Sequence, residues 1–138
     1  GGFAADLIGP RLSATVAGVL AGTALLGIPL VFAQHETYAF VACVALWSAA
    51  ISAQAPGVNA LAQLQALDGR ESTSMALPRA AGDAAFAVAP FFLGALADAL
   101  PDHPGIDCAA AGLATILGTL ALLYCKDPPP PPPPRRKS

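Results

Sequence analysis

The chain has 138 residues, of which 55% are hydrophobic and only 12% are charged, and its net charge is −2. A soluble domain carries about 25% charged residues and, at this size, exposes a large surface to water. Seven basic and nine acidic residues cannot cover that surface, so we expect a lipid bilayer around most of the chain. A soluble alanine-rich helical bundle is the least favoured interpretation, and nothing points to a nucleic-acid partner.

Four apolar segments follow one another along the chain, separated by short polar breaks. Each is close to the ~20 residues that a helix needs to cross a ~30 Å hydrocarbon layer. Because the backbone must satisfy its own hydrogen bonds in lipid, each segment is predicted to be a helix. The predicted spans are 12–33, 38–63, 77–100 and 105–125, between a loop at 1–11 and a proline-rich basic tail at 126–138.

The basic residues predict how the spans are oriented. Arg11 precedes the first span, Arg70 lies between the second and third, and Lys126 follows the fourth. These places fall on one side of a four-span bundle, whereas the opposite loops, 34–36 and 101–105, contain no Lys or Arg. Cytoplasmic loops carry an excess of these residues. We therefore expect an integral, multi-pass membrane protein with both ends in the cytoplasm.

The first two spans contain small residues and prolines. Ala14, Gly18 and Gly22 lie four residues apart on one face of the first span, and such small faces let helices pack closely in lipid. Pro29 and Pro56 interrupt the helical hydrogen bonding of their spans and are expected to bend them. Bent, closely packed helices are typical of transporters, although passive membrane proteins also contain them.

The second span offers two candidates for lining a polar cavity, Gln54 and Trp47. A lone amide in a membrane helix either hydrogen-bonds a neighbouring helix or lines such a cavity. Trp47 lies in the middle of the span, away from the membrane interfaces where tryptophan is enriched. It therefore either packs against another helix or lines the same cavity.

The third span carries a charge pair, Arg79 and Asp83, at positions i and i+4 of one helix face. Arg79 is close enough to the predicted cytoplasmic end to extend its charge toward water. A carboxylate at the centre of a membrane helix costs ~2.5–3.5 kcal/mol on insertion scales. Two interpretations follow: a structural charge that is compensated within the pair or by a helix outside this chain, or a gate that couples transport to a proton or a substrate.

No catalytic or metal-binding motif is present in the sequence. It lacks HExxH, GxSxG and Walker patterns, and the run 80–83, AAGD, lacks the first glycine of the GxGD motif of intramembrane aspartyl proteases. The three cysteines, Cys43, Cys108 and Cys125, are an odd number without paired spacing, which argues against disulfides or zinc. We therefore expect no enzymatic activity, no cofactor and no metal.

The opening stretch GGFAADLIGPR resembles the cytoplasmic loop motif of the major facilitator superfamily, G-x-x-x-D-x-x-G-x-basic. Gly2, Asp6, Gly9 and Arg11 occupy the motif positions. Two further positions that are usually basic in the family are not basic here, so the match is partial. The resemblance implies that Asp6 helps to close the cytoplasmic face against the start of a helix, where a carboxylate is favoured.

The third span resembles helix eleven of the drug-antiporter-like members of the same superfamily. The residues that match are Arg79, Gly82, Asp83, Pro90, Gly94 and Asp98. Ala89 stands where a glycine commonly precedes the proline. The four spans then resemble helices nine to twelve, which makes the chain a fragment, the C-terminal part of a two-lobed transporter.

The resemblance implies an all-α carrier with two lobes, a substrate site between them, and alternating access by rocking of the lobes. The implied partners are the missing N-terminal lobe and an unknown small-molecule substrate, and the implied coupling ion is a proton. The alternative from another functional class is a non-transporting membrane scaffold or interaction protein that keeps the same fold.

Overall fold

The computed structural model describes residues 7–64, 66 and 71–124, and all regular structure in these residues is helical. The helices are α1 Pro10–Ala33, α2 Thr37–Leu64, α3 Glu71–Ala99 and α4 Ile106–Ala121, followed by a 3₁₀ turn at Leu122–Tyr124. Four stretches within them are long and apolar enough to cross a membrane. The predicted class, an all-α polytopic membrane bundle, is therefore confirmed.

The start of α1 depends on the backbone of Gly9. This residue has φ 86° and ψ 149°, a conformation that is essentially restricted to glycine. Pro10 follows at the first helical position, where the missing N–H is not needed because no earlier carbonyl could accept it. Gly9, predicted as part of the loop motif, thus lies directly before α1.

A tight turn at His35 joins α1 to α2. His35 has a left-handed φ of 58°. Its N–H donates to the carbonyl of Phe32 at 3.1 Å, and the N–H of Glu36 donates to the carbonyl of Val31 at 3.4 Å. These two bonds form the Schellman motif, in which the left-handed position is usually glycine. The short connection places α2 beside α1 in the opposite direction.

Helix α1 is the centre of the bundle because its main neighbours are both α2 and α4. Its buried residues are all small, namely Ser13, Ala14, Thr15, Ala17, Gly18, Ala21, Gly22 and Ala24. The ladder of Ala14, Gly18 and Gly22 therefore lies in the packed interior. Small side chains gain little from burial individually, but they let neighbouring backbones approach closely, as membrane helices require.

The close approach is visible at three glycines. A Cβ added to Gly22 would lie 2.7 Å from the carbonyl oxygen of Gly112 in α4, and the reverse distance is also 2.7 Å. A Cβ added to Gly57 in α2 would lie 2.8 Å from the carbonyl oxygen of Pro10. Both distances are below normal contact, so α1 is in backbone contact with α2 and α4.

Helix α3 is different because it contacts α2 and α4 only sparsely. None of the residues in its apolar span is buried, and two prolines, Pro78 and Pro90, lie inside the helix. The tightly packed unit is therefore α1 with α2 and α4, and α3 lies at its edge with most of its surface open.

Candidate functional site

A groove of about 740 Å³ lies between α2 and α3, and we call it the polar groove. It is lined by Ile51, Gln54, Ala55, Val58, Asn59, Ala76, Pro78 and Arg79. Three of these side chains are polar: two amides from α2 and the guanidinium of Arg79 from the early part of α3. The predicted cavity-lining residue Gln54 and the predicted gate residue Arg79 thus line the same groove.

Gln54 is held in position by a hydrogen bond to α4. Its Nε2 donates to Oγ1 of Thr119 at 3.3 Å, and Thr119 is buried. The two side chains meet over Gly18 of α1, where an added Cβ would collide with Thr119 and lie 2.6 Å from Gln54 Nε2. Gln54 therefore both bonds a neighbouring helix and lines a groove, so the two alternatives for it are compatible.

A second groove, of about 520 Å³, adjoins the first, because Ile51 lines both. We call it the apolar groove, since most of its lining is aliphatic or aromatic. Its lining residues are Leu25, Trp47, Ile51, Gly82, Ala85, Phe86, Ala89, Pro90, Leu93, Asp107, Cys108, Ala111 and Thr115. Trp47 therefore lines a groove between helices, and its role toward a substrate stays a prediction.

Arg79 and Asp83 lie one turn apart on α3, and both side chains are exposed. The structure shows no salt bridge between these two described residues, and the compensated pair stays a prediction. A role for either residue at a gate or in coupling stays a prediction.

The other residues of the helix-eleven-like motif divide between two places. Gly82 and Pro90 line the apolar groove. Gly94 and Asp98 lie one turn apart nearer the end of α3, and both are exposed. A Cβ added to Gly94 would meet no described atom within 4 Å, so its surface is open.

Two residues of the loop motif, Gly2 and Asp6, lie outside the described residues. Arg11 is in the first turn of α1 and is half-buried, and its carbonyl accepts a hydrogen bond from Thr15 Oγ1 at 2.9 Å. It lines a mainly apolar groove of about 420 Å³ together with Leu61 and Leu64 from the end of α2. The end of the motif is thus packed against the membrane bundle.

Sequence reasoning did not single out Thr119. Its signal is weak, because a threonine in a membrane helix can satisfy its hydroxyl locally, as Thr115 does by donating to the carbonyl of Ala111 at 2.8 Å. Only the close approach at Gly18 brings Thr119 to Gln54. Within the described ranges, no cluster of His, Cys, Asp or Glu could hold a metal ion.

The fold and the grooves define a multi-pass helical membrane protein with polar groups between its helices. The family model of the Major Facilitator Superfamily matches residues 1–138. The chain therefore belongs to this superfamily, whose members are transporters and not enzymes. No curated protein and no solved structure matches the chain.

Proposed function

We propose that the chain forms part of the C-terminal lobe of a proton-coupled secondary transporter that moves small molecules by alternating access. Membership of the superfamily supports transport. The assignment to the C-terminal lobe is supported by the likeness of α3 to helix eleven of drug-antiporter-like members, carried by residues such as Arg79, Asp83 and Pro90.

The exposed carboxylate of Asp83 is the observation that carries the proposal. Asp83 lies seven residues after Ala76, where the span of α3 begins, which places it about 10 Å along the helix at ~1.5 Å per residue. A charged side chain at the helix centre costs ~2.5–3.5 kcal/mol, and such side chains almost always face a bundle interior or a water-filled cavity. We infer that further protein or water covers this face of α3.

A covered carboxylate on a sparsely packed helix suits proton coupling. Binding or release of a proton changes the charge of the carboxylate, and this change alters the relative free energies of the conformations around it. A charge at this depth could also serve packing in a scaffold, so membership of a superfamily of transporters is what favours the transporter over that alternative. Orientation with both ends in the cytoplasm belongs to the same proposal, and the one-sided basic residues support it.

The test uses the full-length protein that contains this chain, reconstituted into vesicles with an imposed pH gradient. The probes are two permanently charged aromatic compounds of equal size, naphthalene-2-sulfonate and naphthyl-trimethylammonium, which cross lipid slowly unaided. We expect gradient-driven accumulation of one probe, and a protonophore should abolish it.

Asp83→Asn is the decisive variant for coupling. It should retain exchange of labelled for unlabelled probe across the vesicle membrane while losing the part of accumulation that the pH gradient drives. Accumulation that is equal in Asp83→Asn and wild-type vesicles would remove Asp83 from coupling. Fluxes of both probes equal to those of protein-free vesicles would contradict transport of such compounds.

A further inference from the structure

We propose that the polar groove and the apolar groove together bind an amphiphilic organic anion, with its acidic group beside Arg79 and its apolar body beside Trp47. This inference rests on the proposed transport function and deepens it by naming the chemical class of the substrate. Both volumes, about 740 and 520 Å³, lie within the roughly 300–1,000 Å³ typical of small-molecule sites.

The charge of the polar groove favours an anion. Arg79 carries a permanent charge and a planar set of donors that matches a carboxylate or sulfonate. Among the described residues that line this groove, none is acidic. Asp83, the nearest acid on the same helix, makes no salt bridge to Arg79. The guanidinium is therefore available to a ligand, whereas a cation would be repelled.

The two amides of the groove add donors for the same group. Gln54 uses one Nε2 hydrogen for Thr119 at 3.3 Å, which fixes the side chain and leaves its second N–H and its carbonyl oxygen for a ligand. Asn59 lies five residues further along α2 and lines the same groove. A side chain already held in place loses less conformational entropy on binding.

The apolar groove accepts the body of the ligand and fixes its direction. Trp47 and Phe86 offer aromatic surface on opposite helices. The acid of this groove, Asp107, comes from the first turn of α4, which follows the far end of α3. Along α3 this groove extends from Gly82, three residues after Arg79, to Leu93, so one end of it lies beside the guanidinium. One acidic group therefore belongs at the Arg79 end.

Equilibrium binding of radiolabelled naphthalene-2-sulfonate to the purified full-length protein tests this site without any gradient. We expect the sulfonate to bind and naphthyl-trimethylammonium to bind at least about tenfold more weakly. Arg79→Gln should weaken sulfonate binding by about tenfold or more, since a hydrogen-bonded charge is lost. Arg79→Lys should retain part of the affinity, because the charge remains without the planar donor set.

Two controls separate the site from a general effect of charge or folding. Arg135→Gln makes the same charge change in the basic tail and should leave sulfonate binding unchanged. Trp47→Ala should also weaken binding of the sulfonate. Because this substitution removes apolar contact and no charge, its effect should persist at high salt. Retained affinity in Arg79→Lys would show that the position tolerates substitution without loss of the fold.

The outcomes distinguish this site from the proposed function. Sulfonate binding that depends on Arg79, without any gradient-driven transport, would keep the site and reject proton-coupled transport of the bound anion. Transport of the cation alone would keep the function and reject the site. Equal binding of both probes, no binding of the sulfonate by wild-type protein, or wild-type affinity in Arg79→Gln would each overturn the proposal.

Discussion

Gly18→Ala is expected to destabilise the bundle because one methyl group would enter the contact between three helices. An added Cβ collides with Thr119 of α4 and lies 2.6 Å from Nε2 of Gln54 in α2. Neither neighbour is free to move without cost, because they are hydrogen-bonded to each other at 3.3 Å. The methyl group must therefore separate the helices or break the bond.

The magnitude follows from three terms. Overpacking of a tight interior costs typically 1–3 kcal/mol, and loss of an interhelical hydrogen bond in a membrane protein costs about 0.6 kcal/mol on average. Alanine in place of glycine within a helix stabilises the helix by roughly 0.5–1 kcal/mol. We expect a net decrease in the free energy of unfolding of about 2 kcal/mol.

The assay is equilibrium unfolding of the full-length protein in mixed micelles with increasing SDS, read by far-ultraviolet circular dichroism. Gly118→Ala is the matched control, because it lies next to Thr119 and an added Cβ meets no described atom within 4 Å. It should be neutral or slightly stabilising. The double variant Gly18→Ala/Thr119→Ala should recover part of the loss, since it removes the atoms that the methyl group strikes.

An equal cost of Gly118→Ala and Gly18→Ala would contradict a specific contact at Gly18, because the effect would then be a property of glycine in any helix here. Simple addition of the effects of Gly18→Ala and Thr119→Ala would contradict it too. Additive effects indicate sites that do not interact, which contradicts the close approach of these residues.

Three further predictions concern single positions. His35→Gly should raise the free energy of unfolding by about 0.5–1 kcal/mol, because the left-handed backbone costs histidine more than glycine, whereas His35→Ala should give no gain. Gly105→Ala should lower the free energy of unfolding by at least about 1 kcal/mol, since Gly105 has a φ of 82° and an added Cβ would lie 3.0 Å from Pro29. An unchanged midpoint of the unfolding transition would contradict this. With the native cysteines replaced, Asp102→Cys should react with an impermeant maleimide from outside the cell and Arg70→Cys only after permeabilisation, and the reverse pattern would invert the predicted orientation.

The membrane helices could be predicted because lipid imposes a simple requirement. A segment long enough to cross the hydrocarbon must be apolar and must satisfy its backbone internally, and both properties are visible in composition and length alone. The ladder of Ala14, Gly18 and Gly22 also indicated a closely packed face. In the structure that face is buried. Its small residues let the backbones of the neighbouring helices approach closely.

The partners of individual side chains could not be predicted from spacing. Gln54 and Thr119 are 65 residues apart in the chain, and their meeting depends on the relative rotation and height of three helices. The i, i+4 spacing of Arg79 and Asp83 correctly placed them on one face but did not determine whether they pair. Hydropathy also gave no indication that α3 lies at the edge, because lipid-facing and protein-facing apolar residues have the same composition.

The unequal packing of the helices bears on mechanism. Backbone contact at Gly22, Gly57 and Gly112 joins α1 to α2 and α4, and packed interfaces of this kind have discrete arrangements and do not deform continuously. Helix α3 has few contacts, two internal prolines and exposed charges at Arg79 and Asp83. In the proposed transporter, a proton or an anion would therefore bind to α3, the helix that can move with the loss of the fewest contacts. The tight unit would keep its shape, because moving α1 requires the glycine contacts to be remade.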